Sequence, residues 1–167
     1  LFRSDRLSVD ERKLRDFYDS WMDTAAIEAK GLTPLKSYLD QIAALKTPED
    51  VARMMASPRI SAGAIYGYGI GIDDKRPDNY SLNLMQAGLG LPDRDYYLSD
   101  NPELVKTREA YRKYLADMMA LGGLSDTQAR ADRVMALETE IAQVQWSRAD
   151  RPDADKIYNP MLVVDLY

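Results

Sequence analysis

Apolar side chains recur at helical spacing through the first part of the chain. Ser8 and Glu11 have the spacing of a capping box, in which their side chains satisfy free backbone N–H groups at a helix start. The apolar positions that follow predict one helix that ends at Gly31: Leu14, Phe17, Tyr18, Trp21, Met22 and Ala25. The Thr-Pro pairs at 33–34 and 47–48 each predict a further helix start, because proline is favoured in the first helical turn.

Residues 66–86 have the alternation of a β-hairpin. Large apolar residues alternate with glycine over 66–72, and tyrosine and leucine alternate with polar residues over 80–84. The polar segment 73–79 between these two runs predicts the connecting turn. Residues 87–100 are rich in Gly, Pro and Asp and are predicted to be an irregular connector.

Two long helices are predicted in the second half of the chain. Asn101-Pro102-Glu103 starts the first, and Gly122-Gly123 ends it. Ser125 is the predicted cap of the second, which ends near Arg148.

A last helix is predicted to start at Asn159-Pro160. Its apolar run, Met161–Leu166, needs a partner surface, because so short a helix is marginal alone. The pattern as a whole predicts a mainly α fold, a multi-helix domain with one small β-hairpin near 66–86, and a single helical region over 1–167.

Composition places the chain among soluble globular proteins. It has 167 residues, of which 46% are apolar and 29% are charged, and its net charge is −5. This length suits one domain or a piece of a larger protein. A mildly acidic chain lacks the basic surface that nucleic acid requires, so no nucleic-acid partner is expected. No apolar run approaches the ~18 residues of a membrane span.

Cysteine and histidine are both absent. Their absence excludes a Ser-His-Asp triad, a Cys-His pair and a zinc site with histidine or thiolate ligands. The sequence therefore assigns no catalytic, cofactor-binding or metal-binding residue to this chain.

Two motifs near the hairpin have a functional and a structural interpretation. Gly67-x-Gly69-x-Gly71 matches neither phosphate-binding spacing, and a glycine-rich strand is favoured over a phosphate loop. Asp73, Asp74 and Asp78 could bind a hard cation, but they lack the EF-hand pattern, and a hairpin turn is favoured.

Further motifs divide in the same way. Arg94 between Asp93 and Asp95, beside two tyrosines, could form a small anion or substrate site, but a loop tied by charged hydrogen bonds is favoured. Trp146 with Arg148 could form a substrate platform, but a helix end buried in an interface is favoured.

Glu138 and Glu140 point to different helix faces and form no carboxylate pair. Core filling is favoured over a binding groove for four methionines: Met54, Met55, Met118 and Met119.

Five segments of the chain also carry a recognisable sequence. They are 16–35 (DFYDSWMDTAAIEAKGLTPL), the run Asp73-Asp74-Lys75 with Tyr80 and Gln86, 88–98 (GLGLPDRDYYL), 136–148 (ALETEIAQVQWSR) and 158–161 (YNPM). In this order they resemble the N-terminal half of neprilysin-family zinc metalloendopeptidases, over about residues 14–166. Arg76 and Ala87 depart from the residues most frequent in that family, and neither changes the assignment.

The resemblance implies that this chain belongs to a peptidase but does not contain the zinc site or the catalytic residues. In that family the zinc site is H-E-x-x-H with a downstream glutamate in the C-terminal half, where zinc-activated water attacks the peptide bond. The N-terminal half forms much of a helical lobe that encloses the active-site cavity and admits peptides rather than folded proteins. We therefore expect a fragment of a two-lobed helical peptidase, with zinc in the intact enzyme and none bound by this chain. Its expected partners are the C-terminal catalytic region and peptide substrates.

Two rival interpretations remain from the sequence. One is a stand-alone helical peptide- or protein-binding module related to that lobe, and the discriminating feature is whether Met161–Leu166 pack in a closed core. The other is a small hydrolase that uses two carboxylates, which lacks a paired-carboxylate signature. A chain without cysteine resembles the bacterial members of the family better than the disulfide-bonded animal members. The compartment stays open, with the periplasm or the extracellular space favoured over the cytoplasm.

Overall fold

The structure is a computed structural model that describes residues 7–57, 65–151 and 153–166. These residues form a mainly helical fold with one two-stranded antiparallel hairpin, which confirms the fold class predicted from the sequence. The chain divides into two compact units, Leu1–Val51 and Ala52–Tyr167, called here the first and second units. The assignment of 1–167 to a single region of a larger lobe stays a prediction.

The first unit begins with the predicted capping box. The Glu11 N–H donates to Ser8 Oγ at 3.3 Å and the Ser8 N–H donates to Glu11 Oε2 at 2.8 Å, at the start of α1 (Val9–Met22). The prediction of one helix up to Gly31 is wrong, because Asp23 ends α1 and caps α2 (Thr24–Lys30). The Asp23 side chain accepts from the Ala26 N–H at 2.9 Å, so a new helix starts there.

A 3₁₀ turn and two short helices follow, and the second of these helices continues past Val51 into the second unit. Gly31 ends α2 in a positive-φ conformation (φ +48°), as predicted. Thr33 is not a helix cap, because it lies inside a 3₁₀ turn (Thr33–Leu35) that leads into α3 (Lys36–Ala43). Thr47 does cap α4 (Pro48–Met55): its Oγ1 accepts from the Asp50 N–H at 3.1 Å, and the Asp50 carboxylate accepts from the Thr47 N–H.

The hairpin of the second unit consists of β1 (Tyr66–Asp73) and β2 (Arg76–Gln86). The chain reverses within Asp74-Lys75, so the predicted turn over 73–79 is too long. The register shifts beside this reversal, from the pair Ile72 with Tyr80 to the pair Asp73 with Arg76. Pro77–Asn79 therefore have no partner in β1, which suits a proline that has no N–H to donate.

Three helices form the core of the second unit. They are α5 (Asp95–Leu98), α6 (Pro102–Leu121) and α7 (Thr127–Val144), and each packs against the other two. Their contact buries Tyr97, Met135 and Ala142. The Asn101 side chain accepts from the Glu103 N–H at 3.0 Å and starts α6 as predicted, whereas α5 was missed because one turn has no apolar period.

The ends of the later helices differ from prediction. Asp126, in a left-handed conformation (φ +52°), precedes α7 in place of Ser125, and α7 ends at Val144 rather than near Arg148. A short helix, α8 (Ala154–Ile157), was not predicted. The last predicted helix is only a 3₁₀ turn (Val163–Leu166), because so short a helix is marginal alone and the Val163 and Val164 side chains are largely exposed.

Candidate functional site: a hairpin anchored at both ends

One face of the hairpin is entirely apolar over its middle. Three cross-strand pairs lie on this face: Tyr68 with Leu84, Ile70 with Leu82, and Ile72 with Tyr80. The side chains are exposed, Ile70 by 80% and Tyr80 by 78%. The opposite face pairs Gly69 with Asn83 and Gly71 with Ser81, which confirms the glycine-rich strand over the phosphate loop. We call the six apolar residues the hairpin face.

The tip of the hairpin is anchored through a buried carboxylate. Asp73 accepts hydrogen bonds from the backbone N–H groups of Lys75 and Arg76, at 3.0 and 2.9 Å, and from Arg76 Nη2 at 2.9 Å. The Tyr158 hydroxyl donates to the same carboxylate at 2.9 Å. The Arg76 guanidinium, followed by the Tyr158 hydroxyl and the Lys75 N–H, lowers the pKa of Asp73 below its ordinary value. Asp73 is therefore a turn residue that also ties the tip to the segment after α8.

A second contact at the tip involves Lys75. Its ammonium lies 5.0 Å from the centre of the Tyr158 ring and 2.6 Å from Asp155 Oδ1. The hydrogen bond and charge of Asp155 raise the pKa of Lys75. Two of the segments that suggested the family resemblance, 73–75 and 158–161, are thus in direct contact.

The open end of the hairpin is anchored by amide groups. Gln86 Oε1 accepts from the Trp146 N–H at 2.9 Å, and Gln86 Nε2 donates to the Trp146 carbonyl at 3.3 Å. Gln145 Nε2 donates to the Ala87 carbonyl at 2.7 Å. The hairpin is therefore held to the residues after α7 through polar contacts at its end.

A cleft of about 600 Å³ lies where this open end meets the end of α7. Trp146 lines the cleft with its ring, while Arg148 is exposed outside the lining. The remaining lining is mostly apolar: Ile65, Tyr66, Leu84, Met85, Gln86, Ile141, Val144, Gln145, Arg151 and Ile157. The Trp146 backbone thus serves as an attachment point for the hairpin, and its side chain lines an open apolar surface.

The segment 88–98 is the loop tied by charged groups that the sequence favoured. Arg94 Nη1 donates to the Gln145 carbonyl at 2.8 Å, and Asp93 forms an ion pair with Arg151. Arg108 donates to the carbonyls of Tyr96 and Tyr97. These contacts engage the charged side chains with the protein itself, so they support the structural interpretation over an anion site.

Glu138 joins this loop to the two long helices. It accepts from the Tyr97 hydroxyl at 2.6 Å and from the Tyr111 hydroxyl at 3.1 Å. Burial, with the adjacent Glu138, raises the pKa of Tyr97 and raises that of Tyr111 to about 12, so both phenols stay protonated donors at neutral pH. A β-carbon at Gly90 would lie 2.6 Å from Tyr111 Cζ, which explains why glycine stands in this loop.

The predicted methionine filling is realised only in part. Met54, Met55 and Met119 are half-buried, whereas Met118 is exposed.

The sequence did not predict the hydrogen-bond partners of Glu138, Gln86 and Tyr158. The available signal was their position inside the segments that resemble the family.

Among the side chains that bind zinc, this chain has only carboxylates. The chain has no histidine and no cysteine. Within residues 7–57, 65–151 and 153–166, no cluster of three or more carboxylate, histidine or cysteine side chains is arranged to hold a metal ion. Over the same residues, no helix has the length and hydrophobicity needed to cross a membrane.

Comparison with known proteins identifies the family to which this chain belongs. Residues 3–167 match the model of peptidase family M13, so the chain belongs to that family. Its relatives include endothelin-converting enzyme-like 1 of Mus musculus, 28% identical over 170 residues, and neprilysin-3 of Drosophila melanogaster, 28% identical over 173 residues. The alignments cover 93% and 96% of this chain and 22% of each relative.

Solved structures give the same result. The zinc metalloprotease Zmp1 of Mycobacterium tuberculosis in complex with an inhibitor is 33% identical, with a TM-score of 0.76 over 90% of this chain and 23% of that chain. Its open state is 29% identical, with a TM-score of 0.78 over 98% of this chain and 26% of that chain. The chain therefore spans about a quarter of the length of the proteins it matches.

Proposed function

We propose that this chain is part of a zinc metalloendopeptidase and contributes the helical lobe that encloses the active-site cavity and restricts substrate size. The match of residues 3–167 to family M13 is the observation that carries the proposal. The covered share of Zmp1, 23–26%, leaves room in the intact protein for a separate catalytic region. Family membership also favours a peptidase over a stand-alone binding module.

The division of labour follows from the side chains present. Because this chain lacks the histidine and cysteine ligands of zinc, the metal and the catalytic groups would lie in the rest of the intact enzyme. This chain would contribute shape: a lobe closing over the cavity excludes water and selects peptides by size. The anchored hairpin and the core of α5–α7 support such a role, since a size filter must hold its form.

Exposed apolar side chains near residue 161 also support the proposal. The side chains of Met161, Leu162, Val163 and Val164 are largely exposed, and the core formed by the described residues does not contain them. Burying them would add roughly 1.5–3 kcal/mol for each large side chain. Polypeptide outside these 167 residues is the partner that the proposal requires.

Two measurements test the peptidase assignment. The intact gene product is expected to bind zinc, to cleave a quenched fluorogenic peptide and to lose that activity with a chelator. The 167-residue chain alone is expected to show neither hydrolysis nor stoichiometric zinc binding by calorimetry. Tight zinc binding by the chain alone would contradict the proposed division of labour, and an intact product without peptidase activity would contradict the function.

The lobe's role in size selection needs a separate test. The intact enzyme is given a short peptide and a folded protein that carries the same cleavage sequence. Ala142→Leu, which disturbs the core of α5–α7, is expected to raise cleavage of the folded protein relative to the peptide. Ala29→Leu, at an exposed position, serves as the matched control. Equal losses on both substrates would argue against size selection by this lobe.

A further inference from the structure

The hairpin face combines three properties of an apolar contact surface. It contains no charged residue, it is exposed along its whole length, and its cross-strand pairs place all six side chains on one side. Tyrosine side chains alone can each bury about 150–250 Å², so the face offers several hundred Å² of apolar surface. Apolar patches larger than a few hundred Å² on soluble proteins mark contacts with other protein, with a membrane or with a ligand.

The anchoring of the hairpin explains how such a face is held in place. Two-stranded hairpins are marginal by themselves in water. Here the tip is tied through Asp73 to Tyr158, and the open end is tied through Gln86 to Trp146. Both attachments are polar and terminal, and neither is made by one of the six side chains of the hairpin face, although Gln86 lies on the same side of the hairpin and Leu84 lines the cleft beside Trp146. The hairpin is thus positioned by its ends while its apolar middle stays available.

We propose that the hairpin face is the surface on which the rest of the same peptidase polypeptide packs, through an uncharged apolar side of one of its own segments. This inference rests on the proposed function, because it requires an intact enzyme longer than this chain. The matched proteins are about four times as long, so three quarters of their polypeptide is available as a partner. A charge-free centre is characteristic of protein interfaces, and the permanent ones are the more hydrophobic class.

The test places one cysteine on each side of the hairpin in the intact enzyme. Ile70→Cys puts the thiol on the hairpin face, and the matched control Asn83→Cys puts it on the opposite side of the same hairpin. This segment has no native cysteine, so labelling by N-ethylmaleimide can be located on the two peptides by mass spectrometry. Both variants are first checked for peptide hydrolysis, which reports on the proposed function independently.

The expected result is that the thiol of the Ile70→Cys variant reacts at least about tenfold more slowly than that of the Asn83→Cys variant in active enzyme, and equally fast after denaturation. The slow reaction should not depend on enzyme concentration or on added substrate. Equal labelling of both thiols in active enzyme would overturn the inference while leaving the proposed function intact. Protection that grows with enzyme concentration would instead indicate a second copy. Protection that appears only with a peptide inhibitor would indicate a substrate surface, and either result would also overturn it.

Discussion

The helices of the first unit and the helices of the second bury very different amounts of side chain, and the difference does not follow their caps. Helix α1 has a complete capping box, yet it buries no residue, and Phe17 and Trp21 are 70% and 72% exposed. Helix α7 has no side-chain cap, yet it buries Ala131, Met135 and Ala142. A side-chain cap therefore does not indicate how much a helix buries, because burial depends on a partner far away in the sequence.

The largest expected difference between the two regions is in amide hydrogen exchange of the 167-residue chain. Amides of α7 are expected to exchange at least about a hundredfold more slowly than those of α1, because opening α7 exposes a packed core and opening α1 does not. Exchange measured by mass spectrometry on peptides from both helices checks this. Similar protection in both would mean that the capped helices of the first unit are stabilised by more than local contacts.

The same substitution in both regions sharpens the comparison. Ala142→Leu adds three carbons to a fully buried site and is expected to lower the free energy of unfolding by about 1–3 kcal/mol. Ala29→Leu, at an exposed site in α2, is expected to change it by less than about 0.5 kcal/mol.

The two tryptophans allow each region to be observed separately. Trp146 reports on the second unit in a Trp21→Phe background, and Trp21 reports on the first unit in a Trp146→Phe background. Urea unfolding followed by fluorescence then gives the free energy at each site. If Ala29→Leu lowered the free energy of unfolding as much as Ala142→Leu, the result would contradict the exposure of Ala29 and the burial of Ala142.

A glycine pair tests the loop that contacts α6. Gly90→Ala forces the Tyr111 ring away from its contact with Glu138 and is expected to cost about 1–2 kcal/mol. Gly69→Ala, where a β-carbon meets no atom within 4 Å, is expected to be neutral or slightly stabilising. Thermal unfolding of both variants provides the measurement, and equal effects would show that Tyr111 moves aside without cost.

The smallest effect is expected in the pH dependence that Asp73 contributes. Its pKa is lowered in the folded protein, so its stabilisation is complete above the unfolded value and is lost as the pH falls through the folded value. The melting temperature of Asp73→Asn should therefore lie below wild type at pH 7, and the gap should close below about pH 4.

A companion variant separates the donors to this carboxylate. Tyr158→Phe removes one hydrogen bond to Asp73 and leaves the Arg76 contact. Its melting temperature at pH 7 is therefore expected to lie closer to that of wild type than the melting temperature of Asp73→Asn does. If the difference in melting temperature between Asp73→Asn and wild type stayed the same down to acidic pH, the effect of Asp73→Asn would come from packing rather than from charge.

Much of the fold was predictable because its signals are local. The capping boxes at Ser8 and Thr47 join residues three apart, and the β-hairpin alternates with a period of two. The predicted helix boundaries were wrong where a single aspartate starts a helix at a position that the apolar periodicity does not mark. Asp23 divides a predicted helix because its carboxylate caps a second one, and Asp126 displaces Ser125 at the start of α7.

The candidate site was predictable only as a set of residues without partners. The sequence indicated that Asp73 lies in a turn and that the loop at Arg94 is tied by charge. It did not indicate that Gln86 would bind Trp146, 60 residues away, or that Tyr158 would bind Asp73, 85 residues away. Spacing and period carry no information about contacts at such separations.

The sequence by itself determined the kind of protein this is. Its periodicities specify helices and one hairpin, its composition removes histidine and cysteine as ligands for zinc, and residues 3–167 match family M13. Only the tertiary structure decided which polar side chains anchor the hairpin and which apolar faces stay exposed. The reason is physical: caps and periods act between residues a few positions apart, whereas burial depends on which distant surfaces meet.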